Sequence, residues 1–194
     1  MDIQKTFENY IDIFQKVTPE LKSVDSEYIF KTRVEAFDKY RKNGIPDHNH
    51  EDYKYAGISE ICSKEYEYSN QSRGAVVDLN SYFRCEVEDM DTHVILLSNG
   101  EYYEKNEKIA NLDDDIIVCG LKEAKQKHAN ILNKFYNNQA GESDHGLVNL
   151  NTMLANDGLF IYIPKNKKLD KTIQLVNLTH GFGNKNIFKR KIKE

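Results

Sequence analysis

The chain has 194 residues with a formal net charge of −4, and 39% of its residues are hydrophobic. This length accommodates one ordinary domain, or a compact domain and part of a second. The apolar content argues against a disordered chain. The slightly acidic balance gives no overall field that would attract phosphate backbones, so we expect no binding to nucleic acid.

The sequence also argues against a leader segment, a membrane span and paired cysteines. Residues 1–16 lack both a basic leader and a continuous apolar stretch, so we expect no signal peptide. The apolar runs are far shorter than the ~20 residues that a membrane helix needs. Cys62, Cys85 and Cys119 are odd in number and form no CxxC pair, which favours free thiols over disulfides or a zinc site. The expected location is the cytoplasm, without membrane contact.

Apolar side chains at three- and four-residue spacing open the chain. The pattern predicts an amphipathic helix over residues 3–17. We expect Thr18-Pro19 to end this helix, because the residue before a proline disfavours the helical conformation.

A second helix is predicted to begin at Asp25 or Ser26, either of which can cap free backbone N–H groups. Its stop signal is Asn43-Gly44-Ile45-Pro46. Gly44 is expected in the left-handed conformation just after the helix, and Pro46 prevents continuation. The predicted apolar stripe of this helix consists of Phe30, Val34, Phe37 and Tyr40.

The middle of the chain mixes helix and strand signals. A short helix is predicted over residues 50–61, and residues 64–92 are assigned to α+β structure without definite elements. An apolar run before Asn99-Gly100 predicts a β-hairpin over 93–103, because Asn-Gly is the favoured pair for a type I′ turn. A strand over 116–119 is expected to lead into one helix with its apolar face formed by Leu121, Ala124, His128, Ile131, Leu132 and Phe135.

A polar linker at residues 137–144 is the predicted domain boundary. Beyond it we predict a helix over 147–154 and strands over 159–164 and 172–180. The first strand is apolar on both alternating faces and needs cover on both sides, whereas two strands alone do not form a stable sheet. This segment therefore resembles the start of an unfinished β structure, and the basic stretch 185–194 is interpreted as a solvated end.

The densest cluster of possible metal ligands is His48, His50, Glu51 and Asp52. Borderline metals accept imidazole and carboxylate together, and a bend after Pro46 would gather these groups. Their spacing is not that of the helical HExxH motif, and acidic residues are also common at helix N-termini. Two interpretations stay open: helix-capping groups, or the metal centre of a small metal-dependent hydrolase.

The remaining polar groups do not assemble a catalytic set in the sequence. His128 is expected to be a core histidine, and His145 and His180 are isolated. The aspartates at 113–115 lack the glycine and terminal glutamate of an EF-hand loop, and the chain contains no GxxxxGK[ST] phosphate loop. The residues therefore favour a binding or scaffold part over an enzyme, and no catalytic, cofactor-binding or metal residue is assigned.

Three early motifs resemble SufD-type proteins of the SufB/SufD family. Arg33-Val34-Glu35-Ala36-Phe37 is similar to the family's "R-x-x-A-x-x-x-F" helix, and Gly44-Ile45-Pro46 to its "G-[IL]-P" stop. Glu51-Asp52-Tyr53-Lys54-Tyr55 is similar to "E-x-W-[KR]-Y-T", with Tyr53 in place of the usual tryptophan.

Later motifs continue this resemblance in the family's order. Residues 97–101 look like the "V-N-G" turn, and residues 117–124 are similar to the "V-x-x-L-x-E-A" passage from strand to helix. The most specific match is the stretch from Leu150 to Pro164, which resembles "L-N-x-x-x-x-x-D-G-x-x-I-x-[IV]-P". Together the pieces cover residues 30–178.

The resemblance implies an α+β fold with two parts. A helical N-terminal domain with a small β-hairpin or sheet is expected over residues 1–140. The first strands of a right-handed parallel β-helix are expected over 141–194, so the chain is expected to be an N-terminal fragment of the family fold.

The implied function is that of a non-catalytic scaffold in the SUF iron–sulfur cluster assembly system. In the full-length complex the implied partners are SufB and the ATPase SufC. The family's cluster-related residues and SufC contacts lie in later segments, so no site residue is carried over, no cofactor is expected in this fragment, and the SufC contact is expected to be lost. We also expect self-association through the exposed strands of residues 159–180.

Overall fold

A computed structural model describes residues 3–46, 49–56, 58, 67–68, 92–103, 109, 112–138, 144–179, 185–186 and 189–193. The helices in these ranges are α1 (Ile3–Val24), α2 (Glu27–Asn43), α3 (Leu121–Lys127), α4 (Ala129–Phe135) and α5 (Gly146–Leu154). The strands are β1 (Glu67–Tyr68), β2 (Thr92–Ser98), β3 (Glu101–Tyr102), β4 (Ile117–Gly120), β5 (Asp157–Tyr162), β6 (Thr172–Leu178), β7 (Lys185–Asn186) and β8 (Lys189–Lys193). The α+β class is confirmed. Among the described helices, none has the length and apolar character to span a membrane.

Helix α1 is longer than the sequence predicts, and the expected stop at Thr18-Pro19 is wrong. The helix continues through Pro19 to Val24. Proline removes one backbone hydrogen bond and costs about 3 kcal/mol inside a helix. The continuation keeps Leu21 in line with Tyr10 and Phe14, and all three side chains are buried in one core. Burial of a leucine contributes roughly 1.5–3 kcal/mol, enough to offset much of the proline penalty.

Helix α2 confirms both predicted ends and corrects the predicted stripe. Ser26 is the N-cap, and its Oγ accepts a hydrogen bond from the backbone N–H of Ile29 at 3.3 Å. Tyr40 is fully buried, and Phe30 and Phe37 pack against the same core, as expected, but Val34 is 36% exposed. The α2 residues that are buried are Ile29, Thr32, Arg33, Ala36 and Tyr40.

Gly44 ends α2 with a positive φ of 68°, and its N–H donates to the Tyr40 carbonyl at 2.8 Å. Its ψ of −165° lies outside the left-handed helical region that we expected. This combination belongs to a region that is essentially restricted to glycine. Ile45 then packs into the same core as Tyr40. Beyond Pro46, the described part of the helix predicted over 50–61 contains a 3₁₀ turn at Glu51–Tyr53 and the helical residue Ile58, and residues 57 and 59–61 lie outside the described ranges.

The predicted hairpin is confirmed and joins a distant strand. Asn99 and Gly100 have φ values of 50° and 85°, as a type I′ turn requires. Strand β2 pairs antiparallel with β3 and parallel with β6, with Leu96 opposite Val176. Of residues 64–91, which carried no definite prediction, only β1 is described, and it pairs parallel with β7.

The single helix predicted after Gly120 is two helices. His128 interrupts the helical backbone with φ −127° and ψ 27°, and it is half-buried instead of a core residue. On either side of this break, Leu121 and Ala124 of α3 and Leu132 of α4 are fully buried in a second core. The strand predicted just before them is confirmed as β4.

Strand β5 is covered on both faces, as its apolar pattern predicts. Phe160 lies in the second core with Cys119 and Leu121, whereas Leu159 and Ile161 lie in a third core with Ile95. Strand β5 also has a neighbour on each edge, since it pairs antiparallel with β4 and parallel with β8. The basic stretch is therefore not simply a solvated end, because the backbone of Lys189–Lys193 completes this sheet.

The two parts of the sequence share one core. Leu150, Met153 and Leu154 of α5 pack with Tyr10 of α1 and Tyr40 of α2. The sheets of the described residues contain at most three strands and are open, so they establish an α+β architecture and not a turn of a β-helix. The boundary at 140/141 stays a prediction.

We predict that Gly44→Val lowers the free energy of unfolding by about 1 kcal/mol or more, because a β-branched residue resists this backbone conformation. A Cβ at Gly44 would meet no atom within 4 Å, so the expected loss comes from backbone strain alone. Urea unfolding followed by circular dichroism measures it. Lys42→Val, at an exposed position two residues earlier in the last turn of α2, is the control for β-branching. Equal stability of the two variants would contradict the prediction.

Candidate functional site

A buried ionic cluster joins the start of α2 to α3. The Arg33 Nε lies 2.5 Å from Oδ2 of Asp25, and the Lys125 Nζ lies 2.7 Å from Oδ1 of the same carboxylate. The side chains of Arg33 and Asp25 are fully buried, and that of Lys125 is 5% exposed. Charges taken out of water at this depth are tolerated only when they are paired and hydrogen-bonded. Asp25 therefore serves as an ion-pair acceptor and not as the cap of α2.

Arg33 also binds the C-terminal end of α5. Its Nη1 donates to the carbonyl oxygens of Thr152 at 3.3 Å and Met153 at 3.0 Å. The last carbonyls of a helix have no partner within the helix, and their partial negative charge favours a cation. One guanidinium thus holds α2, Asp25 and the end of α5 together.

A second buried carboxylate, Asp157, joins β5 to two other elements. Its Oδ1 accepts from the backbone N–H of Lys122 at 2.9 Å, and its Oδ2 accepts from the N–H of Tyr102 at 3.2 Å. Lys122 lies in the first turn of α3, whose N-cap is Gly120, a residue without a side chain. Asp157 therefore caps α3 from another strand. Burial raises the pKa of this carboxyl group, while the hydrogen bonds from Lys122, Gly158 and Tyr102 oppose the rise.

The backbones of the α2 and α5 ends touch at a point that requires glycine. A Cβ on Gly146 would lie 1.6 Å from the carbonyl oxygen of Gly44. Beside this contact, the Asn43 side chain donates to the Asp144 carbonyl at 2.7 Å. We call this meeting point of residues 43–46 and 144–146 the α2–α5 junction. It fixes His145 beside the turn that follows Pro46.

Three possible metal ligands converge next to the α2–α5 junction. The His145 Nε2 lies 3.1 Å from Oδ2 of Asp52, and the His50 Nδ1 lies 4.0 Å from the same oxygen. One donor atom from each of the three residues lies within 4.8 Å of the others. We call His50, Asp52 and His145 the histidine cluster. Tyr53 packs edge-on against both imidazoles, with ring centroids 5.4 Å from His50 and 5.7 Å from His145.

The histidine cluster includes only part of the ligand set that the sequence suggested. His50 and Asp52 come together, Glu51 is not one of the converging groups, and His48 lies outside the described residues. His145, which looked isolated in the sequence, supplies the third ligand. Its distance of more than ninety residues along the chain hid it from any local motif, and only the short spacing of His50 and Asp52 gave a signal.

The contacts of the other polar candidates favour a structural role over a chemical one. Asp113 and Asp115 lie 3.0 Å and 3.8 Å from the Lys167 Nζ, so an ammonium group occupies the place considered for a cation. Cys119 is a buried free thiol, and burial, with the nearby charges of Glu123 and Asp157, raises its pKa to about 12. Such a thiol does not provide a nucleophile at neutral pH. Cys62, Cys85 and His180 lie outside the described residues.

Comparison with known proteins gives one family over most of the chain. Residues 4–175 match the family described as the SufBD protein N-terminal region. A relative from Synechocystis sp., named as an iron–sulfur cluster assembly SufBD family protein, is 34% identical over 62 residues, which is 32% of this chain and 12% of the relative. No solved structure matches the chain.

We predict that Arg33→Met lowers the free energy of unfolding by about 3 kcal/mol or more, because it removes one partner of a buried ion pair and leaves the carbonyls of α5 without their donor. Arg41→Met is the control, since Arg41 is an exposed arginine of the same helix. Urea denaturation of both variants measures the difference. Losses of equal size would show that the buried guanidinium contributes no more than a surface one.

Proposed function

The chain belongs to the SufBD family, and on that basis we propose that it is a non-catalytic, SufD-type scaffold component of cytoplasmic iron–sulfur cluster assembly. The observation that carries this proposal is the family match over residues 4–175, which includes the helical part, strands β2 to β5 and the first half of β6. Membership of this family suggests a role in cluster assembly. The scaffold role is our inference from how the matching residues are used.

The residues of the resembling motifs lie at structural joints. Arg33, the first residue of the helical motif, forms the buried ionic cluster and binds the end of α5. Gly44 begins the stop motif and contacts α5, and Asp157 of the "D-G" motif caps α3. In these three motifs the side chains and backbone connect distant elements. Motif residues at contacts between elements support a scaffold role, in which the protein keeps a fixed shape and presents surfaces to partners.

We further propose that the sheet around β5 begins a right-handed parallel β-helix in the complete protein. The parallel pairing of β5 with β8 supports this, because parallel neighbours with a long connection are what successive turns of such a helix require. Strands β2 and β6 are also parallel neighbours with a long connection between them. The matched stretch covers 12% of the length of the Synechocystis relative.

The partners of the complete protein are proposed from the same family. They are SufB and SufC, with the SufC contact in a segment that follows these residues, so that this chain alone does not hold SufC. The alternative of a metal-dependent hydrolase has one supporting observation, the histidine cluster. That cluster has the properties of a binding site and, taken alone, carries no reaction.

We expect deletion of the encoding gene to lower the activity of iron–sulfur enzymes such as aconitase several-fold under iron limitation, because clusters would form more slowly. Malate dehydrogenase, which has no such cluster, is the control and should stay constant. A plasmid copy of the gene should restore aconitase activity. Unchanged aconitase activity in the deletion strain would contradict a role in cluster assembly.

Self-association through residues 159–180 stays a prediction. Of the two strands in this range, β6 is the better candidate for the contact. Among the described strands, β5 has neighbours on both edges, whereas β6 lies at the edge of its sheet beside β2. Ile173, Leu175 and Val176 of β6 are only half-buried. Unpaired strand edges with apolar side chains recruit other chains, so β6 is the proposed contact.

We predict a concentration-dependent dimer by light scattering, and we expect Val176→Lys to shift it toward the monomer. The lysine would place a charge at the centre of the contact, which opposes strand pairing between copies. Val24→Lys is the matched control, because Val24 is 58% exposed at the C-terminal end of α1 and is not part of β6. A wild-type mass that stays monomeric at high concentration would show that the β6 edge is covered.

A further inference from the structure

We propose that His50, Asp52 and His145 form a binding site for one borderline divalent transition-metal ion, of which Zn²⁺ is the representative. The inference depends on the convergence of three donor atoms within 4.8 Å of one another. It is independent of the proposed scaffold function, because it uses only the geometry of these side chains.

The donor spacing suits a metal ion of this class. Zinc–ligand bonds of about 2.0–2.1 Å at tetrahedral angles place neighbouring donors roughly 3.3–3.4 Å apart. The separation from Asp52 Oδ2 to His145 Nε2 is 3.1 Å, and the separation to His50 Nδ1 is 4.0 Å. The first value lies just below the required distance and the second above it, and the two imidazole donors lie within 4.8 Å of each other. Side-chain rotations that bring the His50 ring closer would place all three atoms in the coordination shell.

The second imidazole is the feature that a simple ion pair does not explain. The contact of its Nε2 with the Asp52 carboxylate, at 3.1 Å, accounts for the position of His145. His50 lies close to the same oxygen from another direction, with its ring centroid 5.0 Å from that of His145. A shared cation uses both rings in the neutral form and the carboxylate in the charged form.

The ligand types select the class of metal. Two imidazole nitrogens and one carboxylate oxygen suit Zn²⁺, Co²⁺ or Ni²⁺, whereas Ca²⁺ and Mg²⁺ prefer sites made of oxygen ligands alone. The side chains of His50, Asp52 and His145 are 43%, 63% and 35% exposed. The site is therefore open to solvent, and water can complete the coordination.

The backbone around the site positions the ligands in advance. His145 directly precedes Gly146, whose Cα lies against the Gly44 carbonyl, and Asn43 holds Asp144 on the other side. His50 and Asp52 flank the start of the Glu51–Tyr53 turn. Because the ligands come from two segments that meet only in the folded chain, metal binding would stabilise the fold at the α2–α5 junction.

The test is titration of the chelator-treated, tag-free chain with Zn²⁺ by calorimetry, at constant pH and ionic strength. We expect saturable binding of one ion per chain at this site and a melting temperature that rises with Zn²⁺ concentration. His145→Gln should lower the affinity at least ten-fold. His93→Gln is the matched control, because His93 also pairs with a carboxylate, at 2.9 Å from Asp170, but lies outside the cluster.

A second variant and a second probe keep the test decisive if His145→Gln disturbs the junction. Asp52→Asn changes an exposed side chain with almost no change in shape, and it should also weaken Zn²⁺ binding at least ten-fold. Co²⁺ should give visible absorption bands of a nitrogen- and oxygen-ligated ion in the wild type, and these should be lost in Asp52→Asn. Absence of saturable binding, or equal affinities for wild type, Asp52→Asn and His93→Gln, would overturn the proposal and leave the family assignment intact.

Discussion

The buried guanidinium of Arg33 is the interaction on which the arrangement of the helices depends. It neutralises Asp25 inside the protein, and it supplies hydrogen-bond donors to the end of α5. Neither the carboxylate nor the helix carbonyls tolerate burial without a partner. Lys125 adds α3 to the same carboxylate. Elements from both ends of the sequence are thus held by charges that are stable only when all of them are in place.

Further contacts extend this dependence to the strands and to the α2–α5 junction. Asp157 provides α3 with the cap that Gly120 does not have, and it also holds the hairpin through the backbone of Tyr102. Gly120 itself faces Tyr102 so closely that a Cβ would lie 2.8 Å from the Cβ of the tyrosine. Gly146 permits the comparable contact between α5 and Gly44. Small residues and a buried carboxylate therefore set the distances between elements.

The same contacts connect the proposed scaffold role with the proposed metal site. A protein that presents surfaces to partners benefits from joints that fix the relative positions of its elements, and the family motifs lie at such joints. The α2–α5 junction also brings His145 to His50 and Asp52, although nothing in the local sequence links them. A metal ion at that point would add one more connection between the two segments that the junction already joins.

The sequence by itself determined the elements whose signals are local. The cap at Ser26, the stop at Gly44, the Asn99-Gly100 turn and the two-faced strand β5 each follow from a few neighbouring residues, and the structure has all four. Tertiary structure decided what depends on distant partners. Burial of Leu21 carries α1 past Pro19, pairing with β5 orders the basic stretch, and the α2–α5 junction places His145. Local propensities differ by only about 1–3 kcal/mol, so burial or a strand partner from another part of the chain outweighs them, and no pattern of neighbouring residues records that partner.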